Sequence, residues 1–116
     1  MKVIIAGSRN FNNYKKLCEY CDIMLSNTNN VEIVSGTAAG ADRLGMKYAI
    51  DRLLVLKEFP ADWDTFGKSA GYKRNEQMAQ YADALIAFWD GKSKGTKHMI
   101  DLAKEYDLKI RIYITE

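Results

Sequence analysis

The stretch VEIVSGTAAGAD, residues 31–42, joins a short apolar run to a loop of small residues and then to an amphipathic segment. Val31–Val34 is too short for a helix and rich in β-branched residues, so it predicts a buried strand. Gly36 and Gly40 allow the backbone to turn tightly, and a helix is predicted over Ala41–Leu53. A strand, a glycine loop and a helix in this order indicate a unit of a parallel α/β fold.

The same alternation of short apolar runs and amphipathic segments extends over the whole chain. The other predicted strands are Val3–Ala6, Leu54–Phe59, Ala84–Trp89 and Lys109–Ile114, and the other predicted helices are Asn13–Ser26, Ala70–Tyr81 and Gly95–Tyr106. This βαβαβαβαβ order predicts a five-stranded parallel sheet with helices on both faces. Right-handed crossovers favour the Rossmann-like strand order 3-2-1-4-5. With neither a linker nor a repeat, residues 1–116 are predicted to form one domain.

Composition limits the class of protein further. The 116 residues include 17 Lys and Arg against 15 Asp and Glu, and this net charge of +2 argues against a dedicated duplex-DNA binder. A 47 % apolar and 28 % charged chain is typical of globular proteins and excludes collagen, coiled coil and disorder. The longest apolar runs are far below the roughly 20 residues that span a bilayer. We therefore expect a soluble, cytoplasmic protein without a membrane partner.

Cys18 and Cys21 form a CxxC pattern that could be a redox pair or half of a zinc site. Both lie in a helical apolar stripe, however, where cysteine packs as a small hydrophobic residue. His98 is the only histidine, so a second pair of metal ligands is missing. The pattern predicts core packing, with no metal site and no dedicated cofactor, and two free thiols suit a reducing compartment.

Ligands of open parallel sheets bind outside the carboxyl ends of the strands, and four loops of this chain lie there. These are GSRNF (7–11), SGTAAGAD (35–42), PADWDTFGKSAGYKRN (60–75) and DGKSKGT (90–96). The candidate ligand-binding residues in them are Gly7, Ser8, Arg9, Ser35, Gly36, Thr37, Gly40, Asp42, Trp63, Arg74, Asn75, Asp90, Gly91, Ser93, Gly95 and Thr96. Segments 7–12, 35–43, 60–74 and 90–97 carry eight basic and four acidic residues, against nine and eleven elsewhere. A positive edge of this kind suits a small anion in a cleft.

The loops at 35–40 and 91–96 share the chemistry of phosphate sites. Each combines glycines with hydroxyl side chains and precedes a helix, whose free N–H groups and dipole favour an anion. A plain strand-to-helix turn also uses glycine, so the pattern alone leaves that alternative open. Arg9 and Arg74 are the predicted anion clamps, because a guanidinium binds phosphate through two parallel hydrogen bonds.

Several other loop residues have two interpretations each. Asp42 could accept hydrogen bonds from a ribose or cap its helix, and Asp90 could bind a ribose or cap its loop. Trp63 could stack on a base or anchor its loop. The sequence offers no catalytic triad or metal-ligand cluster that would include His98, so we expect a surface or interface histidine.

Four motifs in order resemble the YspA/YpsA-related SLOG family. They are MKVIIAGSRNF, IVSGTAAGADRLGMKYA, FPADWDTFGKSAGYKRNEQMA and DALIAFWDGKSKGTKHMIDLA, and together they span nearly the whole chain. The resemblance implies a small Rossmann-like domain that binds nucleotides or nucleotide-derived ligands.

Two relatives within the SLOG superfamily imply more specific roles. Arg74-Asn75-x-x-Met78 is similar to a motif of the Lonely Guy phosphoribohydrolases, which implies a catalytic or phosphate-orienting role for Arg74. The catalytic Glu of that family has no counterpart at positions 97–100, which are Lys, His, Met and Ile. A carboxylate elsewhere in the chain could substitute for it, namely Asp62, Asp64, Glu76 or Asp90. SGTAAGAD is similar to a loop of the DNA-processing protein A family, which binds single-stranded DNA.

We therefore predict a protein that binds a nucleotide or nucleotide-derived small molecule, with sensing and hydrolysis of an N-glycosidic bond both open. The alternative is a single-stranded nucleic-acid binding module that resembles the DNA-processing protein A family. Many related domains are dimers or larger, and the chain is expected to form a homo-oligomer.

Overall fold

Five parallel strands form the centre of the fold. The structure is a computed structural model, which describes residues 1–115 of the chain. The strands are β1 (Lys2–Gly7), β2 (Glu32–Ser35), β3 (Val55–Glu58), β4 (Ala84–Trp89) and β5 (Lys109–Ile114). The helices are α1 (Tyr14–Met24), α2 (Ala41–Asp51), α3 (Trp63–Phe66), α4 (Ala70–Tyr81) and α5 (Lys94–Glu105). A single 3-10 turn, Gly67–Ser69, joins α3 to α4.

The strand order is β3-β2-β1-β4-β5 with every pair parallel, which confirms the predicted topology. Strand β1 lies in the middle, with Ile4 opposite Val34 of β2 and Leu85 of β4. Its residues 3–6 are all buried, as expected for a central strand covered on both faces. The chain reverses direction across the sheet between β1 and β4, and the carboxyl ends of these strands form the crevice where such folds bind ligands.

Helices cover both faces of the sheet, again as predicted. Alternate residues of β1 point to opposite faces, so Val3 and Ile5 pack in one core and Ile4 and Ala6 in the other. The first core lies under α1 and α2, and the second lies under α4 and α5. The two cores fix where all four long helices begin relative to the carboxyl edge of the sheet.

Helix α2 lies unusually close to β1 because Gly45 has no side chain. A Cβ atom built on Gly45 would lie 2.8 Å from both Cβ and Cγ2 of Ile5. Such distances are too short for real side chains, so the helix could not keep its position with a larger residue there. The close packing brings the first turn of α2 beside the end of β1.

The segment after β3 differs from the prediction of one long loop. Pro60 opens it, but Asp62 then caps the four-residue helix α3 by accepting a hydrogen bond from the Thr65 amide at 3.1 Å. A helix of four residues is too short to show a 3.6-residue apolar period, so the sequence pattern could not reveal it. The predicted ends of α1 and α2 were also two residues too long. Leu53 has φ 56, which is incompatible with a continuing helix.

The two cysteines pack as predicted. Cys21 is fully buried in the core under α1, and Cys18 packs against the same core while partly exposed. Burial raises the pKa of the Cys21 thiol to about 12, so this group stays protonated. Across residues 1–115, no helix combines the length and apolar character needed to cross a membrane.

Candidate functional site

A cleft of about 180 Å³ opens at the carboxyl edge of the sheet, between the end of β1, the β2–α2 loop and the first turns of α4 and α5. Eight of the predicted ligand-binding residues line it. These are Gly7, Arg9, Asp42, Arg74, Asn75, Ser93, Gly95 and Thr96. The tertiary structure therefore brings together side chains from all four predicted loops.

The other eight predicted residues do not line the cleft. They are Ser8, Ser35, Gly36, Thr37, Gly40, Trp63, Asp90 and Gly91. Four apolar or small residues complete the lining and were not predicted as site residues, namely Ala6, Ala38, Met78 and Met99. Met78 and Met99 lie on the apolar stripes of their helices, so their sequence pattern indicates core packing alone.

The β2–α2 loop is held by its own hydroxyl and glycine residues. The Ser35 hydroxyl, which is fully buried, donates to the Asp42 carbonyl oxygen at 3.0 Å and accepts from the Thr37 amide at 3.2 Å. Gly40 has φ 81 and lies directly against the backbone carbonyls of Ser8 and Arg9. A side chain at position 40 would strain the backbone and collide with that loop, so only glycine fits.

Arg74 is the most informative cation of the cleft. It extends from α4, and its Nη1 donates to the carbonyl oxygen of Gly36 while its Nε donates to Oδ1 of Asn75 at 3.0 Å. Burial lowers the pKa of Arg74, and the charge of Asp42 opposes that shift. Within residues 1–115 no carboxylate oxygen lies within 4.0 Å of this guanidinium. The Asp42 carboxylate is thus close enough to act on this guanidinium electrostatically but forms no ion pair with it, so the guanidinium can still bind an anion.

Asp42 is the one predicted site carboxylate that is buried, with 5 % of its surface exposed. Its Oδ2 accepts a hydrogen bond from the Ala38 amide at 3.3 Å. Burial raises the pKa of Asp42 to about 6, although the positive charge of Arg74 and the amide hydrogen bonds act in the opposite direction. Near neutral pH the carboxylate is thus close to its titration range, in a cleft that otherwise favours anions.

Gly36 separates these two charged groups. A Cβ atom built there would lie 2.7 Å from Oδ2 of Asp42 and 2.8 Å from Nη1 of Arg74. Both distances are shorter than any normal contact of a methyl group. A glycine at this position lets the carboxylate and the guanidinium approach the loop backbone from two sides.

Asn75 connects Arg74 to the first turn of α5. Its side chain is 7 % exposed, and its Nδ2 lies 3.2 Å from Nδ1 of His98 and 3.4 Å from the Gly95 carbonyl oxygen. His98 is partly buried, and Tyr72 meets its ring edge-on at a centroid distance of 4.5 Å. The prediction of a surface or interface histidine missed this contact, because Asn75 and His98 come from different helices and no local spacing relates them.

The loop after β4 is organised by Asp90. Its Oδ1 accepts from the amides of Lys92 and Ser93 at 2.9 and 2.8 Å, and these bonds lower the pKa of the carboxyl group. Ser8, which is 1 % exposed, accepts from the Asp90 amide at 3.1 Å. Of the two predicted roles of Asp90, the structure therefore shows the loop cap, and Ser93 in turn caps α5.

Trp63 lies on α3 outside the lining of the cleft, with 52 % of its surface exposed. A Cβ atom on Gly71 would lie 3.7 Å from Cη2 of Trp63 and 3.8 Å from Nη2 of Arg74. The indole and the guanidinium therefore flank the same point of α4. An exposed aromatic side chain therefore lies close to the cation that lines the cleft.

None of the four carboxylates that could replace the missing Lonely Guy Glu lines the cleft. Asp62 caps α3, and Asp90 caps its loop. Asp64 and Glu76 are exposed. Asp42 is the carboxylate that lines it. Any chemistry that needs a carboxylate in this cleft would therefore fall to a residue at the start of α2.

A sequence profile of the YspA, cpYpsA-related SLOG family matches residues 1–66, which contain the loops after β1 and β2. The chain belongs to this family. Gene 61 protein of Mycobacterium phage D29 is 30 % identical over 116 residues, which cover 94 % of this chain and 93 % of the phage protein. This SLOG chain and the phage protein thus match over nearly their full lengths, including the region of α4 and α5.

Two solved structures have the same fold as this SLOG protein. DNA processing protein A from Helicobacter pylori matches with a TM-score of 0.71 and 20 % identity, over 100 % of this chain and 66 % of its own length. The Streptococcus pneumoniae protein matches with a TM-score of 0.78 and 17 % identity, over 99 % and 50 %. The chain thus spans half to about two thirds of those proteins. The structure of the Helicobacter pylori protein was described for its mode of binding single-stranded DNA.

Proposed function

We propose that the cleft binds the phosphate of a nucleotide-derived small molecule. The observation that carries this proposal is Arg74, a partly buried guanidinium that lines the cleft without a carboxylate within 4.0 Å in residues 1–115. A phosphate would form the close ion pair that Asp42 does not form and would accept hydrogen bonds from the guanidinium. Arg9, which lines the same cleft from the end of β1, adds a second cation.

The first turn of α5 supports the same position for the phosphate. Ser93, Gly95 and Thr96 line the cleft at the start of this 12-residue helix. The helix dipole and the free N–H groups of the first turn favour an anion there. Phosphate would therefore lie between Arg74 and α5.

Asp42 is better suited to a hydroxyl group than to the phosphate itself. Its carboxylate would repel a phosphate but would accept hydrogen bonds from the hydroxyls of a ribose. A cavity of about 180 Å³ is also smaller than the roughly 300 Å³ from which drug-sized sites begin. We therefore place the sugar phosphate inside the cleft and the base outside it, against the exposed face of Trp63.

The proposal is tested by a thermal-shift screen with nucleoside monophosphates, NAD, ADP-ribose and cyclic nucleotides. A ligand that binds only the folded state raises the melting temperature, by an amount set by its concentration relative to Kd. We expect at least one of these compounds to stabilise the protein. The proposal fails if none does so at millimolar concentration.

Two arginine variants show whether the stabilisation comes from this cleft. Arg74→Met removes the clamp, and we expect binding about tenfold weaker or worse, because a charged hydrogen bond is lost. Arg111→Met is the matched control, since Arg111 is exposed on β5 and lines a groove with Met1, away from the cleft. Equal loss in both variants would place the ligand elsewhere.

The fate of the ligand is measured by mass spectrometry after incubation. We expect it to be recovered intact, because positions 97–100 carry no carboxylate where the Lonely Guy enzymes have their catalytic Glu. Release of a free base and a ribose phosphate would instead show an N-glycosidic hydrolase. An Asp42→Asn variant without that activity would then assign the chemistry to Asp42.

A second candidate function is the binding of single-stranded nucleic acid. The shared fold with DNA processing protein A and three exposed aromatic residues favour it, namely Trp63, Phe66 and Tyr72 at 52, 42 and 49 % exposure. Stacking of bases on such residues tolerates any sequence. Oligonucleotide binding measured at low and high salt separates the two functions. A strand that contacts many phosphates loses affinity steeply with salt, whereas a small ligand does not.

A further inference from the structure

The Asn75 side chain makes hydrogen bonds in two directions at once. Its Oδ1 accepts from Nε of Arg74 at 3.0 Å, and its Nδ2 faces Nδ1 of His98 at 3.2 Å. The amide also reaches the Gly95 carbonyl oxygen at 3.4 Å. With the oxygen turned toward the guanidinium and the NH2 group toward the ring, every one of these contacts pairs a donor with an acceptor.

We propose that Asn75 is a positioning residue that aims Arg74 into the cleft, and that the protonation state of His98 sets the orientation of its amide. This inference rests on the proposed function, because it concerns the anion that Arg74 would bind. His98 acts through Asn75 and Arg74 and does not itself contact the ligand.

The chemistry of the two ring states explains the coupling. Neutral His98 with its proton on Nε2 has an acceptor at Nδ1, which matches the NH2 group of Asn75. When the ring takes up a proton from solvent, Nδ1 becomes a donor and faces another donor. If the amide then rotates to offer its oxygen, its NH2 group faces Nε of Arg74, and the hydrogen bond that holds the guanidinium is lost.

The groups around His98 set the pH range in which the ring is protonated. From α4, Tyr72 and Glu76 face the ring, and from α5 it shares a surface hollow with the groups Lys94, Lys97 and Asp101. Burial lowers the pKa of His98, while the negative charges of Asp101 and Glu76 oppose that shift. The neutral form therefore dominates at neutral pH, and the ring takes up a proton only when the solution is acidified below the ordinary pKa of histidine.

Simple electrostatics predicts the opposite pH dependence, which makes the proposal easy to test. Protonating His98 adds a positive charge near the cleft, and protonating Asp42 removes a negative one. Both changes should strengthen the binding of an anion. The coupling through Asn75 instead makes binding weaker in acid.

The experiment uses sulfate as the probe, because it mimics phosphate and keeps its charge throughout the pH range in which histidine titrates. His98 is the only histidine, so its imidazole signals in a proton NMR titration are unambiguous. We expect protonation of His98 to weaken sulfate binding about tenfold, as for the loss of one charge-assisted hydrogen bond. By linkage, saturating sulfate then lowers the pKa of His98 by about one unit. An unchanged or raised pKa overturns the proposal.

Two variants separate positioning from general damage. His98→Gln keeps an acceptor for the Asn75 amide but cannot be protonated, so its sulfate binding should not weaken in acid and should strengthen as Asp42 takes up a proton. In Asn75→Leu, sulfate binding should be weak and the pKa of His98 should no longer respond to sulfate. Lys104→Gln, near the far end of α5, is the control and should behave as wild type.

The outcomes also distinguish this inference from the proposed function. If wild-type protein fails to bind sulfate at neutral pH, the anion site itself is refuted and this inference with it. If it binds sulfate but His98→Gln retains the wild-type pH dependence, the anion site stands and the coupling is refuted. Should Asn75→Leu fail to fold, the wild-type titration and His98→Gln still decide the matter.

Discussion

The Arg74 guanidinium donates from Nη1 to the carbonyl oxygen of Gly36, a residue 38 positions earlier in the chain. This hydrogen bond joins the first turns of α4 to the loop after β2, across the end of the sheet. It turns the guanidinium toward Asp42 without forming an ion pair within 4.0 Å in residues 1–115. The cleft of this SLOG protein is therefore built around one arginine held by a backbone carbonyl.

Replacing Gly36 should weaken anion binding while leaving the fold in place. In Gly36→Ala the new methyl group would lie 2.8 Å from Nη1 of Arg74, so the guanidinium must move away from the cleft. We expect affinity for a bound nucleotide, measured by calorimetry, to fall about tenfold. Gly71→Ala is the matched control, because its methyl group would lie at an ordinary 3.8 Å from Nη2 of the same arginine. Equal affinity in the two variants would contradict the role given to Gly36.

Asp42→Asn should change how stability depends on pH. The pKa of Asp42 is raised to about 6 in the folded protein, from its ordinary value of 3.8. Between these values the folded state holds a proton that the unfolded state lacks, so the contribution of Asp42 to stability is fully present below about 3.8 and is lost as the pH rises to about 6. A shift of roughly two units corresponds to about 3 kcal/mol.

The measurement is urea unfolding of both proteins at about pH 4.5 and about pH 7.5, on either side of the raised pKa of Asp42. All other titrating groups are shared, so the difference between the two proteins isolates position 42. The asparagine side chain of the variant cannot ionise, and the variant should therefore gain stability relative to wild type as the pH rises. A difference that stays constant with pH would show that the Asp42 carboxyl titrates normally.

The Trp63→Ala substitution should weaken the binding of nucleotides but not the binding of the sugar phosphate alone. The indole is half exposed beside Arg74, and stacking of a base on an aromatic face contributes about 1–3 kcal/mol. We expect the affinity for the nucleotide that binds wild type to fall about tenfold or more, while ribose 5-phosphate binds as before. Phe66→Ala serves as the control, because Phe66 is a similarly exposed aromatic residue whose ring lies under Lys73. Equal losses for both ligands would mean that Trp63 supports the cleft rather than the base.

Two glycines of the long helices should respond to alanine in opposite ways. In Gly45→Ala the methyl group would lie 2.8 Å from Ile5 in the core, and we expect a loss of about 1–3 kcal/mol in the free energy of unfolding. In Gly95→Ala the methyl group meets no protein atom within 4 Å, so stability should stay the same or rise by up to about 1 kcal/mol. Chemical denaturation of both variants measures the difference. A Gly45→Ala protein as stable as wild type would show that α2 can move away from β1 without loss of stability.

The sequence by itself determined the strands, the long helices and their order. Each depends on a local pattern, such as the continuous apolar run of β4 or the helical period of α5, and the handedness of crossovers then leaves few topologies. The family could also be recognised from the sequence, because its glycine and hydroxyl loops are short contiguous motifs. The positive loop segments likewise follow from counting charges along the chain.

Only the tertiary structure decided what each loop residue does. The side chains of Ser35 and Asp90 could each form hydrogen bonds with a ligand, but in the structure they form hydrogen bonds within their own loops. Asp42 is buried between two loops and acquires a raised pKa, which no local pattern signals. The contact of Asn75 with His98 spans 23 residues and two helices. Such contacts depend on how helices pack on the sheet, and packing is set by side chains distant in sequence rather than by the periodicity of any one segment.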